Sequence, residues 1–252
     1  MSRQRHRGPR SSSTPRLILA SASPSRREIL TQAGIQFEVV VSEVDERMLV
    51  EQAEEVSGPL TPAEEAQLLA QAKAEDVASR PQARGALVLG CDSVFELDGT
   101  AYGKPYEVDI AVERWQQMRG KAGVLHTGHW LVESTERPAK KLGRWMSGGM
   151  EAILGSVPDS TRNLEAAAET VSSIVHFGTP TDEQIRSYCE SGEPLHCAGA
   201  FTLEGGAAEF IERVDGDRDA VIGVSPAALG RLLQRLGHDL STYRAAPEGS
   251  QA

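Results

Sequence analysis

Cysteine is scarce in this chain: Cys91, Cys189 and Cys197 are an odd number, in no metal-ligating spacing, among 252 residues. That usage excludes a disulfide-stapled scaffold and fits a reducing cytoplasm, which is the expected location. Aromatic residues are equally sparse at 5%, yet an apolar content of 40% over this length provides for a substantial core, in one large or two small domains. Long apolar runs are missing too. The stretch Leu17-Ile-Leu-Ala20 is too short for the h-region of a secretory signal, and no window approaches the length of a membrane span, so no membrane association is expected. An overall excess of positive charge is also lacking: the formal net charge is −10. This argues against a nucleic-acid binder held by a general basic surface, because such proteins gain affinity by neutralising phosphates. The charge is uneven. Residues 2–16 carry five arginines (Arg3, Arg5, Arg7, Arg10, Arg16) and no acid, which leaves 21 basic against 36 acidic side chains elsewhere. With nothing apolar to bury, residues 1–15 are expected to form a disordered basic tail.

What is present centres on residues 90–105, GCDSVFELDGTAYGKP. The apolar run Ala86-Leu-Val-Leu-Gly-Cys91 reads as a buried strand ended by Asp92. Val94, Phe95 and Leu97 lead into Asp98-Gly99, a pair suited to a two-residue type I′ hairpin turn. If Leu97 faces Thr100 across that turn, Ser93 faces Lys104, and Lys104 returns beside Asp92. A carboxylate and an ammonium at the end of a buried strand make a poor apolar core and a plausible catalytic pair; a salt bridge closing a hairpin is the competing reading.

In chain order, Arg16–Ala20 reads as a strand, and Ser23 with Pro24 as the cap and first position of a helix over 25–33 stopped by Gly34. The loop Ser21–Ser23 feeds a helix N-terminus flanked by Arg26 and Arg27, which is favourable to an anion, although an ordinary strand-loop-helix reads the same way. A strand is expected over Phe37–Val41, running into Ser42-Glu-Val-Asp-Glu46, whose acids suit a divalent cation or plain solvation. Thr61-Pro62 with Glu64 is a capping box opening a helix to about Ser79, with Lys73 close to its buried face, where a lysine ordinarily snorkels. A helix over 108–119, a strand over 124–132, a long surface excursion over 133–165, a strand over 169–177 and a helix over 181–191 follow. The pattern closes with strands over 209–214 and 220–224, a helix from Ser225-Pro226 to about Leu236, and a flexible tail over 241–252. His196 and Cys197, adjacent and without a third ligand, read as packing rather than as a metal pair.

Taken together, LASASPSRREIL at 19–30, VDE at 44–46, the lone Lys73, GCDSV…DG…GKP at 90–105, TGH at 127–129 and SGEPLHCAGAF…EG at 191–205 resemble the Maf family in order and spacing, over about residues 16–240. The resemblance implies a single α/β domain of the inosine-triphosphatase type, with a long mixed central sheet, flanking helices and a cleft between two lobes. It implies hydrolysis of a nucleoside triphosphate to monophosphate and pyrophosphate with Mg²⁺ or Mn²⁺, in a house-cleaning role that removes modified nucleotides. Under it, Asp92, Lys104 and Lys73 are catalytic, with Asp92 as proton acceptor. Ser21, Ser23, Ser25, Arg26, Arg27, Ser93 and Glu204 bind substrate, and Glu46 and Asp92 hold the metal; a homodimer is compatible. The chain departs from the commonest pattern at His196-Cys197, where many members carry Asp-Lys. PLHCAG is instead similar to the branch that prefers 7-methyl-GTP. The specificity positions fall on Ser25, Ser93 and Glu204, and the two serines match neither main branch. The alternative is a nucleotide-binding regulator of cell division and septum formation with little turnover.

Overall fold

The computed structural model describes residues 15–134 and 165–244. The expected basic tail (1–15) and the excursion (133–165) therefore lie almost wholly outside the described residues. What is described at the excursion is its base: the Glu133 amide donates to the Glu165 carbonyl at 3.0 Å, so the chain leaves and returns at one hydrogen-bonded pair.

A seven-stranded mixed sheet organises the chain in the order β2-β1-β3-β5-β6-β7, with β4 paired to β3. The strands are β1 (Arg16–Leu19), β2 (Glu38–Val39), β3 (Ala86–Leu97), β4 (Thr100–Tyr102), β5 (Ala122–Glu133), β6 (Ala166–Phe177) and β7 (Ile211–Asp215). Three of them, β3, β5 and β6, are twelve residues long, about 40 Å each, and so run through two lobes. The edge of β3 away from β5 is shared. Parallel β1 covers Ala86–Leu89 and antiparallel β4 covers Phe95–Leu97, so no strand lies against that edge between Gly90 and Val94. Asp92 and Ser93 sit in that gap, one pointing to each face of the sheet.

The helices are α1 (Pro24–Gln32), α2 (Glu46–Ser57), α3 (Pro62–Ala78), α4 (Val108–Met118), α5 (Asp182–Glu190), α6 (Arg218–Ile222) and α7 (Pro226–Arg235). One core lies between the sheet and α1 with α7 (Leu17, Leu30, Leu89, Leu229, Leu233) and another under α3 (Ile18, Ala70, Ala74, Val88, Trp130). The third fills the far lobe, around Phe95, Trp115, Phe177 and Phe201 with α4 and α5. Trp115 is anchored there by its indole N–H, which donates to the Ala200 carbonyl at 2.7 Å. The few aromatic residues of the chain are thus concentrated in this lobe, packed edge to face.

Helix α3 opens with the expected capping box at Thr61 and Glu64 and approaches β3 and β5 to main-chain contact at two points. Gly90 and Gly128 make this possible: a Cβ on Gly90 would collide with the Ala70 carbonyl and Ala74, and one on Gly128 with the main chain at Ala66 and Gln67. The helix is therefore close enough for Lys73 to reach Asp92, two residues along β3 from Gly90.

Several expectations are corrected. β3 does not end at Asp92 but continues to Leu97, because the apolar face resumes at Phe95 and β5 pairs along the whole length. The hairpin turn forms as expected, with Asp98 at φ 52°, Gly99 at φ 80° and Leu97 opposite Thr100. Pairing stops at Tyr102, because the Gly103 carbonyl turns away to accept from Arg114 and from the Gly199 amide. Lys104 consequently does not pair with Asp92. The expected strand over 220–224 is the one-turn helix α6, capped by Asp217, whose carboxylate accepts from the Ala220 amide at 3.0 Å. The expected flexible tail begins later than 241: Tyr243 is buried, and Ile35 bridges to Arg244. Helix α2 was not anticipated; Asp45 caps it by accepting from the Met48 amide at 3.0 Å, and it buries no residue completely.

Gly90→Ala and Gly128→Ala each force α3 off the sheet. Each is expected to lower thermal stability by about 1–3 kcal/mol or more and to impair activity beyond the loss of folded protein. A melting temperature equal to that of the wild type for both variants contradicts the close-approach account.

Candidate active site

Lys73, on α3, is buried, and its ammonium meets two carboxylates: Asp92 Oδ1 at 2.5 Å and Glu46 Oε1 at 2.7 Å. The side chain does not snorkel: it is almost wholly buried, with its ammonium held between the two carboxylates. Burial works against its charge, but the fields of Asp92 and Glu46 outweigh burial and hold the ammonium above the ordinary lysine pKa. Burial likewise raises the Glu46 carboxyl, and is outweighed by Lys73, with smaller contributions from Lys104 and Arg26, so the net shift is downward. Glu65, on α3, is an acid that sequence reading missed. Its pKa is raised by burial first, then by the fields of Asp92, Glu54 and Glu46. Its position eight residues before Lys73 on the same helix was the available signal.

On the other face of the sheet, Arg26 is fixed by three bonds. Its Nε donates to the Gly223 carbonyl at 2.8 Å, and its two terminal nitrogens donate to Ser21 Oγ and Ser93 Oγ at 3.2 Å each. The direction of the protons can be followed. Thr127 donates its hydroxyl to the Ala220 carbonyl at 2.7 Å, so across the 2.9 Å contact Ser93 must donate to Thr127 and is left to accept from Arg26. A guanidinium has five N–H donors; with three engaged, two remain for a ligand. Ser23 caps α1 by accepting from the Arg26 amide at 3.4 Å, and Ser21 also accepts from the Ser23 amide at 3.2 Å. The unexpected helix α6 serves this anchor by presenting the Gly223 carbonyl. Thr127, quoted within TGH but given no role from sequence, is its last link.

The remaining expected residues are more dispersed. Lys104 is exposed and forms no hydrogen bond or ion pair among the described residues, but its charge is felt both at Glu46 and at Cys197 of the far lobe. Arg27 folds back on its own loop, donating to the Ala22 carbonyl at 3.0 Å and, more weakly, to Ser23. The Ser25 side chain is half-buried and forms no hydrogen bond among the described residues. Glu204 is exposed in the far lobe with its carboxylate unpaired among the described residues. Its turn is held from behind by Glu193, which accepts from the Gly206 amide at 3.0 Å. The site therefore unites Glu46, Lys73 and Asp92 on one face, and Ser21, Ser23, Arg26 and Ser93 on the other. Lys104 stands between the lobes.

Residues 16–236 match the family described as Maf-like protein. A nucleoside triphosphate pyrophosphatase of Streptomyces avermitilis is 47% identical over 222 residues, spanning 88% of this chain and 91% of the relative. One of Streptomyces coelicolor is 46% identical over 233 residues, spanning 92% and 96%. One of Trichormus variabilis is 39% identical over 230 residues, spanning 91% and 98%. This chain belongs to the Maf-like protein family. The expected mixed α/β architecture of that family, with a long central sheet and flanking helices, is the one observed.

The third residue of TGH has a structural part in this Maf-like chain. His129 is fully buried, and its Nε2 accepts from the Ser225 amide at 2.9 Å at the start of α7, which fixes the neutral ring with its proton on Nδ1. Burial pushes its pKa down to about 4. Because the folded state resists protonation while the unfolded chain titrates near the ordinary value of about 6.5, stability is full above that value and falls as pH drops toward 4. The expected loss is about 3 kcal/mol over that window. His129→Gln, which keeps an acceptor for Ser225, should flatten this part of the stability profile in denaturant titrations; an unchanged slope contradicts the assignment.

Proposed function

We propose that this chain hydrolyses nucleoside triphosphates to nucleoside monophosphate and pyrophosphate, assisted by a divalent cation and with preference for a guanine-type base. The observation that carries the reading is the convergence of Glu46 and Asp92 on the single ammonium of Lys73, at the gap in the sheet. The names of the relatives agree with it. Breaking a phosphoanhydride demands charge neutralisation and a positioned water more than covalent help. Arg26, already fixed, offers two free N–H donors to the phosphates, and Lys104 is unpaired and exposed to meet them. As the phosphates attract the Lys73 ammonium, Asp92 Oδ1 is released to orient the attacking water and accept its proton.

The donor set fits a hard divalent cation such as Mg²⁺ or Mn²⁺. Two carboxylates from different elements already share one positively charged partner, and oxygen is the ligand such ions prefer. Glu46 and Asp92 are the residues that would hold the cation; among the described residues no group of three or more acidic, histidine or cysteine side chains is placed to bind a metal ion. When bound, the cation would neutralise phosphate charge. No helix among the described residues is long and apolar enough to cross a membrane.

Glu204 supports the base preference. A carboxylate only accepts, so it matches the adjacent N1–H and N2–H₂ donors of guanine and leaves the carbonyls of uracil or thymine repelled. Methylation at N7 keeps the N2–H₂ group and adds positive charge to the ring, which a carboxylate favours further.

A pyrophosphate-release assay with purified protein tests both parts. Asp92→Asn keeps the shape of the side chain and an acceptor for Lys73, so the protein should stay folded while kcat falls by about 10²–10⁴; a loss below about tenfold demotes Asp92 to a structural role. The wild type should show higher kcat/KM for GTP and 7-methyl-GTP than for UTP and dTTP, with Glu204→Gln eroding the ratio. A preference for UTP or dTTP, or an unchanged ratio in the variant, removes Glu204 from base selection.

A further inference from the structure

Tyr106 combines three features that an incidental surface tyrosine lacks. It is 63% exposed despite its large ring. It holds φ at 61°, a left-handed conformation unfavourable for a bulky residue and retained only where the surroundings enforce it. Its surroundings do so: Pro105 before it is buried, and the Tyr106 amide donates to the Leu195 carbonyl at 3.0 Å. The ring then meets exposed His196 edge to face, with centroids 6.0 Å apart and planes at 66°. The ring is thus braced against His196 while most of its surface remains open to water.

The place of this pair in the cleft follows from its neighbours. Tyr106 is two residues after Lys104, and this segment is bound to that of His196 by two main-chain bonds: the Tyr106 amide donates to the Leu195 carbonyl at 3.0 Å and the Gly199 amide to the Gly103 carbonyl at 3.3 Å. Glu193, at the start of the short 3₁₀ turn that carries His196, also holds the Glu204 turn through Gly206. A triphosphate lying against Arg26, Lys73 and Lys104 therefore directs its nucleoside toward Tyr106, His196 and Glu204.

We infer that Tyr106, braced by His196, is the platform on which the heteroaromatic base of the nucleotide stacks. The inference rests on the proposed reading of the site as a nucleoside triphosphate site and adds a specificity element to it. Glu204 reads the edge of the base; Tyr106 covers its face. The two roles are complementary, because stacking tolerates any base and contributes affinity, whereas the carboxylate selects among bases. A cationic, N7-methylated ring gains more from a phenol face than a neutral one.

Calorimetric titration in the presence of Mg²⁺ separates base contacts from phosphate contacts. Wild type, Tyr106→Ala and Tyr106→Phe are each titrated with an α,β-methylene analogue of GTP, which resists cleavage, and with inorganic pyrophosphate, which has no base. The expected result is about a tenfold to hundredfold weaker Kd of Tyr106→Ala for the analogue, with Tyr106→Phe near wild type and pyrophosphate affinity the same in all three. An unchanged analogue Kd in Tyr106→Ala, or equal losses for analogue and pyrophosphate, overturns the platform and leaves the pyrophosphatase reading intact. A wild type that binds neither ligand overturns that reading, and the platform with it.

Discussion

The cleft chemistry depends on how closely α3 can approach the sheet. Lys73 is buried between Asp92 and Glu46 only because Gly90 and Gly128 let the helix backbone rest directly on β3 and β5. A buried ion pair adds little to stability, since desolvating both charges cancels much of their attraction, but removing one partner leaves an uncompensated charge and is costly. Such a cluster is hard to explain as a stabilising device and easy to explain as a preassembled set of charges held ready for an anionic ligand. The neighbouring arginine follows the same logic. Arg26 is fixed by a carbonyl and two hydroxyls, none of which neutralises it, so its charge remains available.

The topology creates the opening these charges share. A strand that pairs on one edge with β1 for its first third and with β4 for its last quarter has a bare segment between, and Asp92 and Ser93 lie there. Alternation along the strand then divides the labour: Asp92 faces α3 and its lysine, Ser93 faces α1 and its arginine. The far lobe, filled by the aromatic residues, holds the 3₁₀ turn that carries His196 and leads to Cys197, where the charge of Lys104 is felt. Length in β3, β5 and β6 is what joins the two lobes rigidly.

Much of this was legible in the sequence where a local rule decides the structure. The caps at Ser23, Thr61 and Ser225 and the Asp98-Gly99 turn are formed as read, because each is settled by hydrogen bonds within a few residues. Misreadings arose where tertiary contacts override pattern. The β-branched run 220–224 reads as a strand, but Asp217 draws it into a helical turn. The hairpin count placed Lys104 beside Asp92, yet pairing ends at Tyr102 and the ammonium there belongs to Lys73, from an element remote in sequence. Helix α2 is absent from the reading of the sequence, which gives the acids over 42–46 to a cation or to solvent; in the structure Asp45 caps a helix that buries no residue completely. Thr127 and Tyr106 could not be assigned from spacing at all: one acts through a serine on the next strand, the other through a backbone angle.

Identification of the bond that breaks tests the central claim most directly. Phosphorus NMR of a reaction containing purified protein, GTP and Mg²⁺ should show GMP and pyrophosphate appearing in equal amounts, with no GDP at any time. Accumulation of GDP with inorganic phosphate, or stable binding of GTP with no products, would contradict the account.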